Sequence, residues 1–186
     1  MSPLMLFRLI LPSSGAWARL RDHPPSVLAL ILFPVLPLAL IPPIMLYQAG
    51  TGYPEAFGDA FAGREWGYIT IILFLAELLT FAVMGWLIHE VGNTRSAHIS
   101  AHSAYLVAAV APVPMWLSAF ALFVPSLTVI TSIALIGLIW SCAIVFRGIS
   151  HLCRIGADVE AMSITYTVMA ASVLAWGLLL AIIWGL

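Results

Sequence analysis

One carboxylate in this chain stands where a carboxylate is expensive. Glu77 falls near the middle of a continuous apolar run, residues 68–88. An acidic side chain at that depth in a bilayer turns toward a protein interior or a watery cavity, because hydrocarbon cannot solvate it. The chemistry open to it is that of a proton or cation site. The alternative is a protonated Glu hydrogen-bonded to a neighbouring helix. The second reading is favoured by the lack of another charge within a span to pair with it.

A second group of chemically capable residues gathers between two apolar runs: His89, Glu90, His98 and His102. His98 and His102 are four residues apart, so a continuous helix sets both imidazoles on one face. That spacing suits a metal ion, with Glu90 or His89 completing the set. Against it, His98, the first of that pair, lacks the following Glu that marks zinc proteases, and Gly92 and Asn93 interrupt the segment. The alternative is a polar, solvated loop that anchors two helix ends. His151 and Cys153 lie in another loop and form no recognisable ligand pair alone. All five His sit at the ends of spans or in loops, which disfavours transmembrane haem. Ser-His-Asp arrangements, Gly-rich phosphate loops and paired carboxylates do not stand out. No catalytic or cofactor-binding residue is therefore assigned and no metal site; the metal candidates are His98, His102 and Glu90, and the candidate intramembrane polar site is Glu77.

The elements that position these residues follow from composition. Of 186 residues, 63% are hydrophobic and 8% charged, against roughly a quarter charged in a soluble domain. So little charge cannot cover a surface facing water, and lipid must be the solvent for most side chains. The net charge of −1 argues against nucleic acid as a partner. All seven basic residues are Arg, which together with the abundant Ala reads as a GC-rich genome. The two cysteines, Cys142 and Cys153, suggest no disulfide framework and read as reduced and structural. A cleavable signal peptide is not expected, since Arg8 interrupts the first apolar stretch and no small-residue cleavage pattern follows.

A span needs about 20 mostly apolar residues. Five stretches qualify: 27–47, 68–88, 103–122, 127–146 and 164–184. The expected fold class is all-α, a polytopic integral membrane bundle of five transmembrane helices. Residues 1–26 are expected to form a cytoplasmic amphipathic leader, and residues 27–186 the membrane domain. Continuous rather than alternating apolar runs exclude a β-barrel. With the N-terminus inside, Arg8, Arg19, Arg21, Arg95, Arg147 and Arg154 are cytoplasmic and only Arg64 is outside. This satisfies the positive-inside rule and puts the C-terminus outside, with Trp184 at the interface.

In the leader, Leu4, Phe7 and Leu11 recur at helical spacing before Pro12, and Trp17, Leu20 and two Arg follow. Two short pieces lying on the inner leaflet are expected, the alternative being an irregular segment held by Trp17 alone. Pro34, Pro37, Pro42 and Pro43 cannot sit in one straight helix, so the first span is expected to be kinked and to pack on the bundle near its outer half. Pro112 and Pro114 predict a kink in the third span, and residues 123–126, with Pro125, predict a tight turn to the fourth. Gly137 with Ser141, and Ala171 with Ala175, have the spacing of close helix packing within the bundle.

The run A-P-V-P-M-W-L-S-A-F-A-L-F-V-P at 111–125 resembles the third span of the Yip-domain family (Ypt/Rab-interacting proteins), in particular its bacterial members. Pro114, Trp116, Leu117, Ser118, Ala119 and Pro125 match that pattern. F-R-G-I at 146–149 and E-A-M-S-I-T-Y-T-V at 160–168 are similar to its later part, and Pro12, Trp17, Leu20 and Pro24 fit its short leader. The chain departs from the family at V-G-N, residues 91–93, at Val110 and at Arg147. The resemblance implies a five-span bundle with a cytoplasmic N-terminus and does not imply an enzyme. Eukaryotic relatives are associated with small GTPases through longer cytoplasmic tails, a role not carried over to a leader this short.

The expectation for function is a non-enzymatic inner-membrane protein acting through protein or lipid contacts, including as an accessory subunit of a larger complex. Its partners are then the lipid bilayer and other membrane subunits or further copies of itself. The alternative is a small transporter, channel or lipid-handling protein that uses Glu77. A metal-binding membrane protein is the weaker alternative.

Overall fold

The computed structural model describes residues 17, 25–57, 63–94, 99–152 and 158–185. Among them the chain is helical and without strands. It forms five helices long and apolar enough to cross a membrane, as expected. We label them α1 (Val27–Gly52), α2 (Trp66–Thr94), α3 (Ala101–Phe123), α4 (Leu127–Leu152) and α5 (Asp158–Gly185). They run longer than the apolar stretches that announced them. The 29 residues of α2 reach about 43 Å at 1.5 Å per residue, beyond a hydrocarbon core of about 30 Å. A helix does not stop where the lipid stops. Hydropathy marks the membrane, whereas caps and turns mark the helix.

The prolines interrupt α1 without ending it. Pro34 sits in a π turn, Ile31–Val35, whose wider winding accommodates the missing N–H. A regular piece, Leu36–Ala39, follows, and after a turn at Leu40 the helix resumes as Ile41–Gly52. Pro42 and Pro43 fall in the first turn of that piece, where a proline forfeits little. This last piece packs on α2 and on the end of α3. There the Tyr53 hydroxyl donates to the Leu122 carbonyl. Ser26 starts α1 by accepting from the Ala29 amide at 3.3 Å.

The third helix is interrupted where its prolines predicted. It is regular over Ala101–Val110, turns at residues 111–112, resumes as Val113–Ser118 and tightens into a 3₁₀ turn, Ala119–Phe123. In lipid, an interruption must be patched by a neighbour. Here the Ser141 hydroxyl of α4 donates to the Ala111 carbonyl. Gly137, one turn earlier on α4, lets that helix approach the Pro114 carbonyl closely. The Gly137 and Ser141 pair thus packs inside the bundle. Residues 124–126 form the tight turn to α4.

The first half of α3 is the axis of the bundle: Ala104 and residues 106–110 are all buried. Helix α2 turns one stripe inward, Leu73, Glu77, Phe81, Gly85 and Ile88, at the three-to-four spacing of a single helix face. Its opposite face, Tyr68, Ile71, Leu75 and Leu79, is exposed. Gly85 permits the contact, since a Cβ there would stand 2.3 Å from the Tyr105 ring. Of the expected N-terminal leader, the interfacial pieces lie outside the described residues. Of residues 1–24, Trp17 is described: it is 2% exposed, with its indole beside Gly148 and in the same core cluster as Val107.

Candidate functional site

Glu77 is 7% exposed, and Oε2 accepts a hydrogen bond of 2.8 Å from the Trp116 indole N–H. The two residues belong to different helices and stand 39 positions apart. Trp116 is itself 2% exposed, on the piece of α3 that follows the break. The sequence expectation that Glu77 turns inward and meets a neighbouring helix therefore matches its placement. Trp116 carries no sign of this role in the sequence beyond its place in the 111–125 run.

Beside this pair lies a cavity of about 530 Å³ walled by parts of all five helices. Pro42 comes from α1; Leu73, Glu77, Thr80, Phe81 and Met84 from α2. Residues from 108 to 119 supply the α3 wall around its break, and Leu138, Ser141 and Val145 that of α4. Met169, Ser172, Val173, Trp176 and Gly177 complete it from α5. A volume between roughly 300 and 1,000 Å³ is that of a small-molecule site. The cavity reaches the lipid-facing surface, because two of its lining residues, Met115 and Val173, are 37% and 54% exposed.

The walls are mainly apolar, and most of their polar atoms are already used. Ser118 donates to the Met115 carbonyl, Ser141 to Ala111 and Ser172 to Val168, while Trp116 is spent on Glu77. Among the described residues, no sealed side-chain nitrogen or oxygen lacks a partner. Among the described residues none donates to Glu77 Oε1, and Glu77 lines the cavity. Two other lining residues, Thr80 and Trp176, add a hydroxyl and an indole N–H, for which no partner stands among the described residues. Thr80 stands three residues from Glu77 on α2, so the two are neighbours on one helix face. Among the described residues, no Arg or His lines the cavity.

The histidine cluster is arranged differently. His89 Nδ1 is 2.8 Å from the Ile99 carbonyl, which ties the end of α2 to the start of α3. Asn93, one turn on, also contacts the His89 ring. Glu90 and His102 are exposed, and His98 lies outside the described residues. Among the described residues, no three His, Cys, Asp or Glu side chains gather as a metal set. His89 acts here as a helix-end anchor.

The chain matches the family model of the Yip1 domain over residues 7–179. No curated protein matches it, and no solved structure does.

Proposed function

Because the chain belongs to the Yip1-domain family, we propose that it is a non-enzymatic multi-pass membrane protein that works by holding a membrane lipid in the cavity beside Glu77. The observation that carries this reading is the open carboxyl oxygen of an otherwise buried Glu77, facing an apolar space that reaches the lipid. A carboxyl at bilayer depth is costly to keep. Trp116 offsets part of that cost for one oxygen and leaves the other for an occupant. The membrane is the bacterial-type inner membrane, with the N-terminus cytoplasmic. The support is the placement of six of seven Arg on one side of the five spans.

The test is gentle extraction followed by native mass spectrometry and lipid analysis. A lipid retained at about one per chain, and lost in Gly177→Trp, is the expected result. Gly177 lines the cavity, and a side chain begun there meets nothing within 4 Å, so the tryptophan fills space without breaking the helix. A chain free of lipid but bound to a stoichiometric membrane protein would replace this reading with that of an accessory subunit.

A transport role has one observation of its own. Pro42 and Pro112, at the interruptions of α1 and α3, both line the cavity. Broken helices beside a midplane site are how transporters open and close it. Flux of a co-purified lipid or ion across proteoliposomes, abolished by Glu77→Ala and retained in Glu77→Asp, distinguishes transport from static binding.

A further inference from the structure

The polar atoms left unengaged in the cavity specify the head of its occupant. A phosphate or sulfate head is excluded, since it would meet the Glu77 carboxyl with no Arg or His among the lining residues to neutralise it. A sugar head needs many hydrogen bonds, and Ser118, Ser141 and Ser172 have already given theirs to backbone carbonyls. What remains, with Glu77 taken as ionised, is an acceptor, Oε1, one helical turn from Thr80 of the same wall, whose hydroxyl both donates and accepts. The Trp176 indole adds a donor on the facing helix. One small group that donates once and accepts once complements this set, and a hydroxyl is that group.

We propose that the cavity takes a long-chain lipid alcohol from the bilayer, its hydroxyl donating to Glu77 Oε1 and accepting from Thr80, its chain lying along the apolar walls. The inference rests on the lipid-holding reading above and narrows it to one class of ligand. The exposed lining residues Met115 and Val173 mark the side from which a chain enters. Trp116 acts as a positioning residue: by holding Oε2 it aims the other oxygen at the space the hydroxyl fills.

The test uses the full chain in nanodiscs and tritiated hexadecanol as the probe, competed by hexadecanol methyl ether, hexadecylamine and hexadecane. The ether keeps the chain and the accepting oxygen but cannot donate, so it leaves Glu77 Oε1 unpaired. Hexadecanol is expected to bind about tenfold tighter than its methyl ether, the discrimination typical of an unpaired buried acceptor. Thr80→Val, nearly the same shape without the hydroxyl, is expected to weaken hexadecanol several-fold and leave hexadecane unchanged. In Glu77→Gln the amide oxygen still accepts from Trp116, so the fold is kept, and the amide N–H then faces the cavity. That N–H donates to an alcohol or an ether alike, so the tenfold preference should fall toward one. Equal binding of alcohol and ether by the wild type overturns the proposal, as does a preference for hexadecylamine. Either result leaves the lipid-holding reading in place. If none of the probes binds, or if Gly177→Trp binds them as the wild type does, the cavity itself is not a lipid site and that reading fails.

Discussion

Replacing Trp116 by Phe removes one N–H and keeps an aromatic ring in a pocket where the native residue is 2% exposed. Two costs follow. The smaller ring leaves space unfilled, worth about 1–2 kcal/mol at about 0.8 kcal/mol per lost methylene-sized group. The lost donor strips Glu77 Oε2 of its hydrogen bond, 2.8 Å long between two buried groups. Interhelical hydrogen bonds in bilayers average about 0.6 kcal/mol and reach about 1.7. With a carboxyl acceptor, about 1 kcal/mol is expected here. The single variant should therefore lose about 2–3 kcal/mol in all. A double-mutant cycle with Glu77→Leu separates the two terms, because only the hydrogen bond is shared. Reversible unfolding in mixed micelles of rising dodecyl sulfate, followed by helical circular dichroism, reads all four proteins without relying on tryptophan fluorescence. A coupling of about 1 kcal/mol, roughly fivefold in the unfolding constant, is the expected outcome. Strictly additive effects would mean that Trp116 does not hold Glu77, and the account of how its free oxygen is aimed would be wrong.

Three further outcomes follow from the packing. Gly85→Ala should destabilise the bundle by about 1–2 kcal/mol, since three ring atoms of Tyr105 stand within 3 Å of the new methyl; Gly67→Ala in the same helix meets nothing and should be neutral or stabilising in the same unfolding assay. Trp17→Ala should cost about 3–5 kcal/mol if its indole is core, and should speed proteolytic clipping of the leader before global unfolding; unchanged clipping and stability would show that Trp17 does not anchor it. Single cysteines at positions 53 and 151, in a background lacking Cys142 and Cys153, should be labelled by impermeant maleimide from opposite sides of the membrane, with position 151 reached only after the cytoplasmic side is opened; labelling of position 151 in intact cells would invert the topology.

What was legible in the sequence is what depends on neighbours along the chain. Hydropathy over some twenty residues marks a span whatever surrounds it, so all five were found, and with them the membrane-bundle class. Proline acts on its own turn, so the interruption of α1 around Pro34 and that of α3 at Pro112 were both predictable. Glu77 was legible as inward-facing because any carboxylate at that depth must be. Which residue would meet it was not. In water, a polar stripe along a helix betrays its buried face, but lipid is as apolar as the core, and spans apolar all round do not announce their rotation. The pairing of Glu77 with Trp116 and the packing of Trp17 against Gly148 were decided by how the helices pack. So was the cavity, which belongs to no single span: it is the space left where two interrupted helices and three regular ones fail to fill the bundle completely.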